Sequence, residues 1–557
     1  MATVARVVVL LWVDILASYA IYVMMAYLTN VWDFSFTKAA AIVNVFWGFV
    51  LVSPLFLTYI VDTILGNYWM VLISSVAYSV GLGLLAMSTP PVLANSMGNC
   101  KEYKPECIGH GQEILFYIAM PLIAFGMAGH MTSFNDFLGE QLGGEENNPV
   151  DDITFCKFST SVVVISITTF VAVIGLPYIK PWSIRFGIPA ICTLFATVLF
   201  FSGSRSYAYH RPQGSPMTAF FRVFVAAVLK RFHQSPRDPR DLYEFSGLRF
   251  YRAPHTKGLR CLDKAAIVVP TEPREEQENK IWRLCTVTEV EETKVLIRMI
   301  PVWMTFIICG VVSAIGFTFF VEQLEHLNPK VGRLKVPIVV LLWFFEQAQK
   351  QLAKLYVKFA ERMDQKLGLG KLAPLIGISI SMIIAILCCV TAAKVEKRRL
   401  GVVQRHGLID KTDERIPMTM FWLLPQFVLL GLFTGIFHFS AVSFFLGQSL
   451  VLTRRYLPLF INGVFGAGIL GSVLSVFVVG KVSERGGKMN WFQKSLNASR
   501  IDKYYWTLSW LMAIDFVVYL VVAVFYTYKE LELEAQRPDP NFGGFARPFD
   551  DDLGSVL

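Results

Sequence analysis

Charged residues are scarce in this sequence. Asp, Glu, Lys and Arg make up 17% of its 557 residues, where a soluble domain carries about 25%. That scarcity excludes the string of soluble domains that such a length would otherwise suggest. Other absences narrow the field. The nine cysteines show no metal-ligand spacing, and no metal site is expected. No glycine-rich phosphate loop, zinc pattern, catalytic-triad signature or dinucleotide fingerprint stands out, so neither an enzyme nor a cofactor is expected. No small-residue cleavage site follows the first apolar run, which is therefore read as a retained span and not as a signal peptide.

What is present is hydrophobic. Apolar residues make up 54% of the chain and aromatic residues 14%, with a mean hydropathy of +0.50. A membrane-spanning helix needs about 20 apolar residues. Runs of that order cover about 5–29, 36–61, 68–88, 114–139, 155–179 and 183–203, then about 295–321, 335–358, 372–393, 417–446, 456–480 and 504–528. The fold class expected is an all-α membrane protein of 12 transmembrane helices, arranged 6+6. Its parts are an N-terminal bundle over 1–203, a central loop over 204–294, a C-terminal bundle over 295–528 and an irregular tail over 529–557.

The central loop holds about 16 Lys and Arg, and a loop so basic stays in the cytosol. Parity then places both termini in the cytosol. The net charge of +9 is read as orientation and attraction to the lipid bilayer, and nucleic acid is not expected as a partner. One observation opposes the parity. Loop 394–416 carries Lys394, Lys397, Arg398, Arg399, Arg405, Lys411 and Arg415, yet falls on the outside. Within the central loop, residues 216–232 place Phe220, Phe221, Phe224, Val225 and Val228 largely on one helical face, which reads as an amphipathic helix on the membrane or on the bundle. Residues 233–280 read as mobile, and the plasma membrane is the expected location, with an internal membrane as the alternative.

Charges inside apolar runs are costly and tend to face a cavity. Asp14 lies in the first run, His130, Asn135 and Asp136 in the fourth, Glu322 at the end of the seventh, Glu346 in the eighth, His438 in the tenth and Asp515 in the twelfth. Snorkelling or helix packing accounts for Glu322 and Asp515. Asp14, His130 and Glu346 sit deeper, in helices of both halves. Gly463, Gly466, Gly468 and Gly471 in the eleventh run read as a close helix contact. Cys100 and Cys107 share one short loop and could form a disulfide if that loop is extracellular. Asn497-Ala498-Ser499 is a glycosylation sequon on a loop that parity places outside. Six and six spans about a basic loop, with sparse polar residues at middle depth, is the pattern of a two-repeat secondary transporter working by alternating access.

Several stretches resemble the plant nitrate/peptide transporter family, a branch of the proton-coupled oligopeptide transporters within the major facilitator superfamily. Trp282 to Glu292 followed by Ile300-Pro301-Val302-Trp303 is one. Others are Leu262-Asp263-Lys264-Ala265-Ala266, Gly214-Ser215-Pro216, Asp62 to Trp69, Trp422 to Gln426, and Leu496-Asn497 leading to Asp502 to Trp506. The resemblance implies uptake of a small solute such as nitrate, short peptides, hormones or metabolites, usually coupled to protons.

The departures from that family are specific. Its first helix carries a Glu-x-x-Glu-Arg motif tied to proton coupling, where this chain reads Leu10 to Ala20 with Asp14 as the one charge. The family's fourth-helix Lys falls near Met131, beside His130. Its tenth-helix Glu falls at Ser443, and its eighth-helix Tyr-Asp-Arg becomes Phe345-Glu346-Gln347. A peptide's termini would lack their usual partners, so nitrate or a small organic solute is expected, with proton coupling altered or lost. His130, Glu346 and Asp14 are the proton-coupling candidates, since an imidazole titrates near neutrality. The expected central cavity is lined by Asp14, Tyr22, His130, Asn135, Glu346, His438 and Ser443, with Asp62 in a cytosolic gate. The competing expectation is a membrane sensor or scaffold that kept the fold without transport.

Overall fold

The computed structural model describes residues 2–95, 100–143, 175, 179, 181–212, 214–234, 242–243, 255–256, 258–270, 273–331, 333–337, 339–367, 372–411, 414–448 and 454–535. In the N-terminal half these form α1 (Ala2–Tyr22), α2 (Met24–Asn30), α3 (Phe36–Ile60), α4 (Asn67–Met87), α5 (His110–Gly143) and α6 (Trp182–Ser202). α7 (Pro216–Leu229) lies in the central segment. The C-terminal half holds α8 (Val287–Phe317), α9 (Phe319–His326), α10 (Val339–Gln347), α11 (Ala353–Leu367), α12 (Ala373–Arg405), α13 (Leu424–Gln448), α14 (Leu457–Ser483) and α15 (Ile501–Ala535).

Ten helical stretches among the described residues are long and apolar enough to cross a membrane, and the fold is that of an all-α, multi-pass membrane protein. The expected fifth run, 155–179, lies almost wholly outside the described residues. The expected eighth run is helical but divided: a five-residue π-helical turn, Ala348–Leu352, separates α10 from α11. α12 continues to Arg405, so much of the basic loop read at 394–416 is helix. α15 likewise runs on to Ala535, into the segment read as an irregular tail, the rest of which lies outside the described residues.

Local chemistry fixes the helix starts. Thr286 and Glu289 form a reciprocal capping box at α8: Glu289 N donates to Thr286 Oγ1 at 3.2 Å, and Thr286 N donates to Glu289 Oε2 at 2.9 Å. This satisfies two otherwise orphaned donors and gives the Thr-Val-Thr-Glu stretch its structural reason. Ser35 caps α3 and Ser215 caps α7 singly, accepting from the backbone N–H of Lys38 and of Met217. Pro54, Pro121, Pro189 and Pro301 lie inside long helices, as neighbouring helices in a bundle permit.

α4 packs on α5 and α6 in the N-terminal half, while α12 packs on α13 and α15 in the other. The seam between the halves runs along α3 and α14. There the glycine cluster acts as the close contact read from sequence. A Cβ at Gly466 would press on Leu51 and the Gly48 carbonyl, and one at Gly468 would strike the Ile307 carbonyl of α8.

Two ends of the bundle can be told apart. α3 begins at Phe36 and finishes beside Asp62, whose carbonyl accepts from Gly214 N of the central segment. The helix ends near Asp62 therefore share an end with the central segment, and Asn30, Phe36 and Met87 lie at the opposite one. The described residues of the central segment pack into a small core of their own. Val223, Ala226 and Ala227 of α7 bury against Leu262, Ala265, Ala266, Cys285 and Val290. Burial pushes the Cys285 thiol up to about 12. Phe221, Val225, Val228, Leu229 and Phe232 stay exposed on the outer side, leaving α7 two-faced.

Candidate functional site

The polar centre of the N-terminal half is a hydrogen-bonded chain across three helices. Asp14 comes from α1, Ser75 from α4 and His130 from α5. His130 Nδ1 lies 2.8 Å from both carboxylate oxygens of Asp14, and its Nε2 lies 2.7 Å from Ser75 Oγ. His130 is buried and Asp14 keeps 23% of its side-chain surface. A narrow recess adjoins the pair, walled by Tyr78, Thr193 and Thr197. Beyond it Ser79 Oγ lies 3.0 Å from Thr197 Oγ1, so hydroxyls continue from the imidazole towards α6. Gly126 and Gly129 explain how α5 comes this close, since a Cβ on either would collide with α4 at Tyr78 or Ser74.

A second group lies where the halves meet. Tyr22 of α1, Trp47 of α3 and Phe317 of α8 stack mutually, with ring centroids 5.4–5.7 Å apart. Phe345 of α10 meets Phe317 edge-on at 6.0 Å. Glu346 follows it in α10. Tyr22, Trp47, Phe317 and Glu346 all remain partly exposed, unlike the aromatic rings sealed in the core.

Connections between the halves close both ends. At the central-segment end Arg455 Nη1 lies 3.0 Å from Asp62 Oδ1, and its Nη2 lies 2.5 Å from Asp136 Oδ2. Tyr456 donates to Asp62 and lies 2.6 Å from Ser215 Oγ, which ties the cap of α7 to the same latch. At the opposite end Phe36 packs against Phe319 and Phe492, Thr29 Oγ1 lies 3.2 Å from Glu322 Oε2, and Lys494 pairs with Asp33 at 2.8 Å.

The structure thus distributes the residues expected in one cavity. Asp14 and His130 meet inside the N-terminal bundle. Tyr22 stacks at the seam, and Glu346 follows Phe345, which meets the same stack through Phe317. His438 packs on Phe465 of α14 with centroids 4.9 Å apart, and Ser443 Oγ is buried with no hydrogen-bond partner among the described residues. Asn135 lies on an exposed face of α5, while its neighbour Asp136 joins the latch. Asp62 sits in the latch. Cys100 and Cys107 form a disulfide in the loop after α4, at the opposite end.

Asn497 departs from its expected role. It is 4% exposed, its Nδ2 donates to the Leu408 carbonyl, and its Oδ1 accepts from Arg399 at 2.7 Å. A buried amide engaged on both sides leaves no room for a glycan in this conformation. Sequence reasoning missed Ser75, Trp47, Arg455 and Tyr456. Only Arg455 left a signal, as one of two adjacent arginines heading the eleventh run.

In the first turns of α8, Glu291 and Lys294 form a buried clamp with Asp263 of the central segment. Lys294 Nζ lies 2.6 Å from Asp263 and 2.7 Å from Glu291, and His255 lies 3.0 Å from Asp263. His255, Asp263 and Glu291 are close enough to hold a cation, and the Lys294 ammonium supplies that charge.

Comparisons with known proteins agree with this architecture. Residues 68–498 match the PTR2 profile, the POT family. The Arabidopsis thaliana protein named NRT1/PTR FAMILY 5.5 is 38% identical over 527 residues, covering 93% of this chain and 96% of that protein. NRT1/PTR FAMILY 8.2 of the same plant is 31% identical, covering 90% of this chain and 89% of its own length. Among solved structures, an auto-inhibited POT family peptide transporter superposes with a TM-score of 0.64 at 14% identity, over 95% of this chain and 97% of that one. A POT family transporter in complex with 5-aminolevulinic acid gives 0.57 at 12% identity, over 94% and 96%.

Proposed function

Since the chain belongs to the POT family of transporters, we propose that it carries nitrate or a small organic solute across a membrane by alternating access, and that Asp14 and His130 form its proton-coupling pair. The observation that carries this reading is the hydrogen-bonded chain Asp14–His130–Ser75. It lies where the resemblance leads one to expect the Glu-x-x-Glu-Arg motif and the fourth-helix Lys. A carboxylate held by a titratable imidazole keeps the essential feature, a cation that can come and go with pH. Protonating the imidazole favours the ion pair, and losing the proton weakens it.

Alternating access requires connections at each end that break in turn. The ion latch of Arg455 with Asp62 and Asp136 supports an inner gate. The Phe36–Phe319–Phe492 cluster supports an outer seal. The same reading puts the central segment and both termini in the cytosol and the Cys100–Cys107 loop on the oxidising side, where a disulfide persists. The plasma membrane is the location that fits best.

The test is uptake by proteoliposomes and by cells shown to carry the protein at their surface. Nitrate, dipeptides, hormones and glycosides would each be offered at acidic and at near-neutral external pH. Uptake of one solute that rises at acidic pH is the expected result. No uptake of any solute by protein shown to be folded would overturn the transport reading.

A further inference from the structure

Thr256 is fastened to the first turns of α8 through every polar atom it has. Its N–H donates to Glu291 Oε1 at 3.0 Å, and its hydroxyl donates to Glu291 Oε2 at 2.6 Å. Its carbonyl accepts from Lys294 Nζ at 3.0 Å, and its Oγ1 accepts from Arg298 Nη2 at 2.8 Å. Lys294 also holds Asp263 and Glu291. Two carboxylates thus stand against two cations, with His255 beside Asp263. Asp263, Glu291 and Lys294 are buried, whereas Thr256 is half-buried. A phosphate on Oγ1 would upset that balance, because it brings about two negative charges at neutral pH. It would also have no proton to give Glu291, and the dianion would lie against that carboxylate in a cluster already neutral. Uncompensated charge in a buried cluster is costly. The sequence about Thr256 is basic, with Arg249, Arg252, Lys257 and Arg260, flanks that complement a protein kinase with an acidic substrate groove.

We propose that Thr256 is a phosphorylation site whose modification unfastens the central segment from α8. The hydroxyl oxygen attacks the terminal phosphorus of a nucleoside triphosphate. The bond to Oγ1 forms, the bond to the departing nucleoside diphosphate breaks, and the hydroxyl proton passes to the base of the kinase. Of the transport reading this uses one element, the cytosolic placement of the central segment, where nucleoside triphosphate is found.

The purified full-length protein in detergent tests it, treated with magnesium ATP and the catalytic subunit of a serine/threonine kinase that prefers basic flanks. Mass spectrometry places the phosphate, and backbone amide exchange is followed before and after. Phosphate on Thr256 is expected. The amides of Leu262, Ile267 and Cys285, hydrogen-bonded around this core, are expected to exchange about tenfold faster. Exchange in α5 should stay unchanged, and phosphatase should restore the slow rates. Thr256→Val should show no acceleration on the same treatment. Thr256 left unmodified by the kinase would overturn the site, and phosphate on Thr256 with unchanged exchange would overturn the unfastening. A second comparison frees that latter point from the choice of kinase: Thr256→Ser with phosphate installed on the serine during translation, against Thr256→Ser without it. Should the phosphorylated serine protein fail to fold, the kinase-treated protein decides. Neither readout involves flux, so a chain that moves no solute overturns the transport reading and leaves this inference standing.

Discussion

Among the described residues, each half of the molecule holds a carboxylate against a basic side chain inside its bundle, Asp14 with His130 and Glu396 with Arg399, and the two pairs are built to opposite ends. In the C-terminal half Glu396 and Arg399 lie one turn apart on α12, both essentially without exposed side-chain surface. Arg399 donates to both oxygens of Glu396, to Asn497 Oδ1 and to the Leu496 carbonyl. Gln323 Nε2 donates to Glu396 at 2.6 Å and is itself engaged by Gln426. In the N-terminal half Asp14 and His130 come from different helices, and among the described residues Ser75 is the one further side-chain partner the imidazole has.

The difference lies in the cation. Arginine stays charged at any accessible pH, so the C-terminal pair is a permanent rivet through α9, α12, α13 and the loop before α15. Histidine is the side chain whose ordinary range lies near neutrality, so the proposed function assigns the switch to the N-terminal pair. A membrane bundle tolerates buried charge for two reasons, fixation and change, and burial alone does not say which applies. The number of satisfied donors and the type of cation do.

Breaking the rivet should have the largest effect. Arg399→Met strands the Glu396 carboxylate and is expected to destabilise the fold by about 3–5 kcal/mol, read as a lower thermal midpoint in detergent. Adding Glu396→Gln should recover much of that loss, because no uncompensated charge then remains buried.

These two pairs also show what the sequence could and could not reveal. Spans were legible because hydropathy over about 20 residues reports directly on lipid solvation. Asp14 and His130 were legible as costly charges inside such spans. That they touch was not, since 116 residues separate them. Ser75 gave no sign, because a serine in a helix ordinarily turns its hydroxyl back on its own backbone, as Ser75 also does towards Val71. Asn497 misled for a related reason. A sequon is a three-residue pattern, but its availability is decided by Arg399, 98 residues earlier. The π-helical turn in the eighth run escaped because hydropathy is blind to a change of hydrogen-bond register.

Replacing the switch should cost less stability and more function. His130→Gln keeps a hydrogen-bonding side chain, so a loss of about 1–2 kcal/mol is expected in the same thermal measurement. The rise of uptake at acidic pH should disappear altogether. Asp14→Asn should do the same to uptake, because the imidazole then has no charge to answer.

Arg455→Ala sits third. The Arg455 side chain is 41% exposed, and ion pairs of that exposure contribute about 1 kcal/mol or less. Its effect should fall on the balance of conformations, read as faster amide exchange at residues 454–460 with an unchanged thermal midpoint. Ser75→Ala should be smallest: uptake retains its pH dependence while the profile shifts along the pH axis, showing that the serine positions the imidazole without carrying the charge.

The most direct measurement is nitrogen NMR of the full chain with labelled histidine and arginine side chains, followed over the pH range in which the protein stays folded. One imidazole resonance, absent from the His130→Gln protein and altered in Asp14→Asn, should pass from the neutral to the charged form, while the Arg399 signal stays fixed. If the His130 resonance holds a single protonation state throughout, the N-terminal pair is a second rivet and the account of proton coupling fails.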